Sequence, residues 1–211
     1  MALRAVVFDY GMVLSGPPNA EAHAELIRLT GLAPEQFESC YWTDRLDYDK
    51  GVLNGATYWQ KFARDAGLSL SNGTLEELER QDVLYWTTYD PQMIAWQAQI
   101  KQRGLITGIL SNMGESVLAN IKREFAWLHG FDVLVWSFEL GLVKPEPAIY
   151  HHLLDKLGTQ PQETLFLDDK AINVEAAREL GIHALEFSTI ARLRQDLIAA
   201  GFDRDLPLPP A

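Results

Sequence analysis

Five short apolar runs, at residues 5–8, 105–110, 133–137, 164–167 and 183–187, contain few polar residues. A strand with one wet face alternates apolar and polar side chains. A strand covered on both faces does not, and such strands belong to parallel sheets sandwiched between helices. Helical periodicity fills the gaps between the later runs in "GESVLANIKREFAWL", "PAIYHHLLDKLG" and "AINVEAARELG", with Gly158 and Gly181 standing where the last two helices would end. This alternation predicts an α/β fold with a doubly wound parallel sheet.

Residues 16–90 break the rhythm, because the first run is followed by a long, largely helical passage with no buried strand. It reads as an inserted helical subdomain, entered at Gly16, Pro17 and Pro18 and left at Asp90-Pro91. The chain then divides into a core (1–15 and 91–205), the helical insert (16–90) and a C-terminal tail (206–211). The ending "DLPLPPA" is too rich in proline for a helix or a central strand and reads as loose. Within the insert the dipeptide Tyr-Trp recurs as Tyr41-Trp42, Tyr58-Trp59 and Tyr85-Trp86. These rings suit either the core of a small helical bundle or the wall of a substrate pocket.

With 47% hydrophobic and 22% charged residues in 211, the chain has ordinary globular composition and enough length to bury its own core. A formal net charge of -11 and no basic stripe argue against nucleic acid or an acidic membrane as partner. No apolar run is long enough to span a bilayer, and Asp9 interrupts the N-terminal apolar stretch well short of a secretory signal. The lone Cys40 rules out an internal disulfide, in keeping with a reducing, cytoplasmic setting. Either a monomer or a homodimer fits the composition.

In a parallel sheet, ligands bind beyond the carboxyl ends of the strands. There the chain places Asp9 after the first run, Ser111-Asn112 after the second, Lys144-Pro145 in a following loop and Asp168-Asp169 after the fourth. Singly, each has a plain structural use, as a turn residue, a helix cap or a solvated lysine. Together they match phosphoryl transfer through an aspartyl intermediate. Asp9 would attack phosphorus, and a Mg²⁺ ion held by Asp9, a nearby backbone carbonyl and one or both of Asp168 and Asp169 would offset the anion–anion repulsion. Lys144 would add positive charge, and the Ser111 hydroxyl would hold phosphoryl oxygens. Asn112, Met113 and Gly114 in the loop after Ser111, with aromatics of the insert such as Trp42, are the expected substrate contacts. His151 and His152 point about 100° apart on a helix, and the other three histidines are isolated, so all five read as structural or surface residues. Met12 and Val13 read as packing residues beside the nucleophile.

The segments "VVFDYGMVL", "GILSN", "LGLVKPEPAIY" and "LFLDDKAINVEAARELG" resemble the four motifs of the haloacid dehalogenase superfamily, in the family's order. The resemblance implies a Rossmann-like core with a helical cap inserted after the first strand. It also implies Asp9 as nucleophile, Ser111 as phosphate-binding hydroxyl, Lys144 as stabilising lysine and Asp168 and Asp169 as metal acids. The family's phosphatases commonly carry a second Asp two residues after the nucleophile as general acid and base, and here that position is Gly11. A glycine can still offer its carbonyl to Mg²⁺, but not side-chain proton transfer, which is commonly worth about 10²- to 10⁴-fold. The chain looks most similar to the branch of bacterial α-glucose-1-phosphate phosphatases, which has Gly at this position and keeps the metal acids. The expectation is therefore a Mg²⁺-dependent phosphatase of small phosphorylated metabolites, sugar phosphates included. The alternatives are a metal-independent 2-haloacid dehalogenase, against which Asp168-Asp169 tells, and a catalytically weak phosphate-binding protein.

Overall fold

The computed structural model describes residues 2–210. Five strands, β1 (Ala5–Phe8), β2 (Ile106–Ser111), β3 (Val133–Trp136), β4 (Thr164–Asp168) and β5 (His183–Glu186), form one sheet in the order β3-β2-β1-β4-β5. All four pairings are parallel. The helices are α1 (Ala20–Thr30), α2 (Pro34–Thr43), α3 (Arg45–Asp49), α4 (Gly55–Asp65), α5 (Asn72–Trp86), α6 (Pro91–Gln102), α7 (Glu115–Glu124), α8 (Ser137–Leu140), α9 (Pro147–Leu157), α10 (Ala171–Glu179) and α11 (Ile190–Ala199). No helix among the described residues is long and apolar enough to cross a membrane.

The unbroken runs are explained by burial on both faces of the sheet. Val6, Phe8, Ile109, Leu165 and Leu167 pack into a core with Trp96 and Ile100 of α6, Ile121 of α7 and Leu193 of α11. Their neighbours Ala5, Val7, Leu110 and Phe166 face the other way, onto Ile149 and Leu153 of α9 and Val174 and Ala177 of α10. Strand limits fall within a residue of the apolar runs, and β2 reaches Ser111 because that residue still pairs with Trp136. The helix expected through residue 128 stops at Glu124, and a short 3-10 turn, Ala126–Gly130, follows it. Here Phe125 and Trp127 stack on each other, 5.4 Å between ring centroids.

Helices α1–α5 all lie between β1 and α6 in the chain and have a core of their own, built from Leu26, Phe37, Tyr41, Tyr48, Tyr58, Trp59, Phe62 and Leu78. The two connections to the sheet run together. Asp90 N donates to Leu14 O at 2.7 Å, and the Tyr10 hydroxyl donates to Thr88 O at 2.7 Å. The proline-rich ending departs from expectation. Trp96 Nε1 donates to Pro207 O and Arg194 to Pro209 O, both at 2.7 Å, while Leu206 is buried in the sheet core. Proline removes a donor but leaves the carbonyl, so an extended segment without regular structure is still held in place.

Candidate active site

The register of β1 positions the site. Phe8 is level with Ile109 on one side and Leu167 on the other, so the next residue, Asp9, emerges beside Asp168 at the carboxyl edge of the sheet. Its backbone N–H still donates to Leu167 O, at 2.8 Å, so the carboxylate leaves a fixed point of the ladder. Oδ1 accepts from the Tyr10 N–H at 2.7 Å and lies 2.9 Å from Lys144 Nζ. The same ammonium donates to Asp168 Oδ2 at 2.6 Å and to Leu110 O at 3.0 Å. Lys144 is thus a buried cation shared by two buried carboxylates. Burial pulls its pKa down, but Asp9 and Asp168 outweigh this and the net shift is upward.

Asp9 is pushed up to about 6, chiefly by burial and further by Asp168 and Asp169, while Lys144 and a hydrogen bond from Ser111 oppose the rise. Asp169 is raised as well, by burial first and then by Asp168. One oxygen from each of Asp9, Asp168 and Asp169 lies within 4.8 Å of the others. Three hard oxygen ligands so close, with one lysine among them, leave negative charge uncompensated, which is the donor set and charge that suit a Mg²⁺ ion.

Around this cluster is a cavity of about 400 Å³, to which the expected residues Asp9, Gly11, Trp42, Ser111, Asn112, Met113, Lys144 and Asp169 all contribute. Asp168 lies beneath it, fixed by Lys170 N at 2.8 Å and by Asn173 Nδ2 at 3.0 and 3.1 Å. One expectation changes and one gains a second role. Both ends of the Asn112 carboxamide bond the backbone of Lys144, at 2.9 and 2.8 Å, so this side chain positions the lysine as well as lining the cavity. Met12, expected to pack, is 41% exposed at φ 58° and lines the cavity, whereas Val13 is buried. The Tyr-Trp pairs divide: Tyr41, Tyr58 and Trp59 form the helical core, while Trp42, Tyr85 and Trp86 line the cavity.

The opposite wall comes from α3. Tyr48 packs on Gly114 and its hydroxyl accepts from Ser116 N, Asp49 O accepts from Ser137 Oγ at 2.5 Å, and Lys50 pairs with Glu146 at 2.6 Å. This turn of helix is therefore anchored to the segments that follow β2, β3 and Lys144. It presents Arg45 and Asp49 to the cavity, and sequence reasoning missed both. An Arg and an Asp four residues apart read as an exposed helix pair, and nothing local reveals that Asp82 of α5 waits to bury them. Lys170 was also missed; its Nζ lies 5.6 Å from the Trp42 ring centroid and joins α2 to the segment after β4.

Comparison with known proteins agrees with this geometry. The model of the haloacid dehalogenase-like hydrolases matches residues 3–181. A phosphatase of Mycobacterium tuberculosis (strain CDC 1551 / Oshkosh) is 31% identical over 190 residues, 87% of each chain. Acyl-CoA dehydrogenase family member 10 of Mus musculus is 35% identical over 98% of this chain, which spans only 20% of that longer protein. A HAD family enzyme of Bacteroides thetaiotaomicron, solved in complex with magnesium and inorganic phosphate, shares the fold with a TM-score of 0.73 at 20% identity, over 89% of this chain and 95% of that one. The chain belongs to the haloacid dehalogenase-like hydrolases and is a hydrolase.

Proposed function

We propose that the protein is a Mg²⁺-dependent phosphatase of small phosphorylated metabolites that works through a phosphoaspartyl intermediate on Asp9. The observation that carries this reading is the grouping of Asp9, Asp168 and Asp169 around Lys144, with three carboxylate oxygens within 4.8 Å. Asp9, Asp168 and Asp169, with the backbone of Gly11, would hold the ion; when bound it supplies the positive charge that lets an anionic nucleophile meet an anionic ester. A displacement of halide from carbon has no such need, so the paired acids favour phosphorus over carbon as the centre attacked.

The chain's own residues account for the rest. The Tyr10 N–H and Lys144 fix the plane of the Asp9 carboxylate through Oδ1. Ser111 Oγ, buried at the end of β2, is placed to hold a phosphoryl oxygen. In this reading helices α1–α5, residues 16–90, serve as a cap that excludes bulk water and selects the leaving group. The cavity of about 400 Å³, with aromatic rings and polar groups together in its wall, suits a sugar phosphate, in line with the α-glucose-1-phosphate phosphatase branch. A cytoplasmic location fits such a substrate.

The test is initial-rate release of phosphate from a panel of esters, including p-nitrophenyl phosphate and glucose 1-phosphate, in Mg²⁺ and in EDTA. Turnover that disappears in EDTA is expected. Halide release from a 2-haloacid in EDTA, with no ester hydrolysed, would overturn the reading in favour of dehalogenation.

A further inference from the structure

Position 11 carries no side chain, and a Cβ built there meets nothing within 4 Å, so the space beside the nucleophile is open. Three carboxyls line the cavity: Asp9, Asp169 and Asp49. The first two belong to the metal cluster. Asp49, on the facing wall, does not.

Asp49 is also a surplus acid. Arg45 is matched by Asp82, whose two oxygens lie 3.0 and 3.1 Å from its Nη1, and the Tyr41 hydroxyl donates to the same carboxylate at 2.5 Å. Asp49 receives only the long bond from Arg45 Nε to its Oδ1, at 3.3 Å, and its Oδ2 has no hydrogen-bond partner among the described residues. A carboxylate oxygen that has no protein partner, on a residue that lines the cavity, is free to exchange a proton with what the cavity holds. Burial raises its pKa, with Arg45 and Lys170 opposing the rise and Asp82 adding to it, so this carboxyl holds a proton more readily than a free aspartate does. Its backbone is fixed on both sides of the site. Its carbonyl accepts from Ser137 Oγ, which itself accepts from Met113 N at 2.9 Å, two residues past Ser111. Its neighbour Lys50 is tied to Glu146, two residues past Lys144.

Resting on the phosphatase reading above, we propose that Asp49 performs from the facing wall the proton transfer that Gly11 cannot. As the Asp9 oxygen bonds to phosphorus and the ester P–O bond breaks, the Asp49 carboxyl gives its proton to the departing oxygen. The resulting carboxylate then takes a proton from the water that attacks the phosphoaspartate; the new P–O bond forms, the Asp9–phosphorus bond breaks, and phosphate leaves with both aspartates restored.

The experiment measures kcat/KM of the full chain in Mg²⁺ for 2,4-dinitrophenyl phosphate, whose leaving group departs without a proton, and for phenyl phosphate, whose leaving group needs one. Because kcat/KM reports only steps through leaving-group departure, the ratio of the two isolates the acid. Asp49→Asn keeps an acceptor for Arg45 and should raise the dinitrophenyl-to-phenyl ratio by about 10²-fold, the lower end of general-acid effects. Adding Gly11→Asp to that variant should bring the ratio back to within about tenfold of wild type; a merely structural loss would not respond. An unchanged ratio in Asp49→Asn, whether activity falls or not, overturns the proposal. Absence of wild-type turnover on both esters would instead remove the phosphatase reading, and this proposal with it.

Discussion

If α3 is seated on the loop after β2, a single methyl group at Gly114 should lift it. The Cβ of an alanine there would lie 2.3 Å from Cε1 and Cζ of Tyr48 and 2.7 Å from its Cδ1. Carbon atoms in contact need about 3.5–4.0 Å, so the ring must retreat by more than about 1 Å. It has nowhere to go alone, being fully buried, stacked on Tyr58 at 5.0 Å and bonded through its hydroxyl to Ser116 N at 3.2 Å. Overpacking of this kind costs about 1–3 kcal/mol, partly offset by the ~0.4–1 kcal/mol that alanine contributes by restricting the unfolded chain. At roughly 2–4 °C per kcal/mol for a chain of this size, Gly114→Ala should melt up to about 10 °C below wild type. The displaced α3 should also lower kcat/KM by up to ~10²-fold. Gly11→Ala is the matched control: its φ of −58° suits alanine and its Cβ meets nothing within 4 Å, so it should melt no lower than wild type. Thermal unfolding of the two variants side by side, with ester hydrolysis of Gly114→Ala against wild type, decides the matter. A Gly114→Ala protein as stable as Gly11→Ala and as active as wild type would refute the docking of α3.

Three further outcomes are expected. In EDTA the wild type should lose stability relative to Asp9→Asn as pH rises from about 4 to about 7. A carboxyl raised from 3.8 to about 6 holds its proton in the folded state after the unfolded chain has released it, so the loss approaches ~3 kcal/mol, read by urea denaturation across pH. Lys144→Met leaves Asp9 and Asp168 buried without their shared cation and should cost about 3–5 kcal/mol, again by urea denaturation, along with activity. Trp42→Ala removes an exposed ring that lines the cavity and should raise KM several-fold with a melting temperature within a few degrees of wild type.

The parts of this structure that were legible in sequence are those where the physics is local to a strand. Burial on both faces writes an unbroken apolar run, and the polar residues that end several such runs meet at one edge of the sheet; Asp9, Ser111 and Asp168 are legible as that set and not one by one. What escaped depends on partners distant in the chain. Arg45 and Asp49 look like a surface pair until Asp82, 37 residues from Arg45, closes over them. Asn112 looks like a free amide until the Lys144 backbone, 32 residues on, claims both its ends. The proline-rich tail looks loose because its anchors are carbonyls, which every residue has, and the donors, Trp96 and Arg194, lie in helices elsewhere.

The most direct test of the central claim is acid quench of the enzyme during turnover of a phosphate ester in Mg²⁺, followed by mass spectrometry of the peptide that holds residues 5–15. A phosphoryl group on Asp9 that is absent in EDTA is the expected result. Turnover without a phosphoryl group on that peptide, together with retained activity in Asp9→Asn, would contradict it.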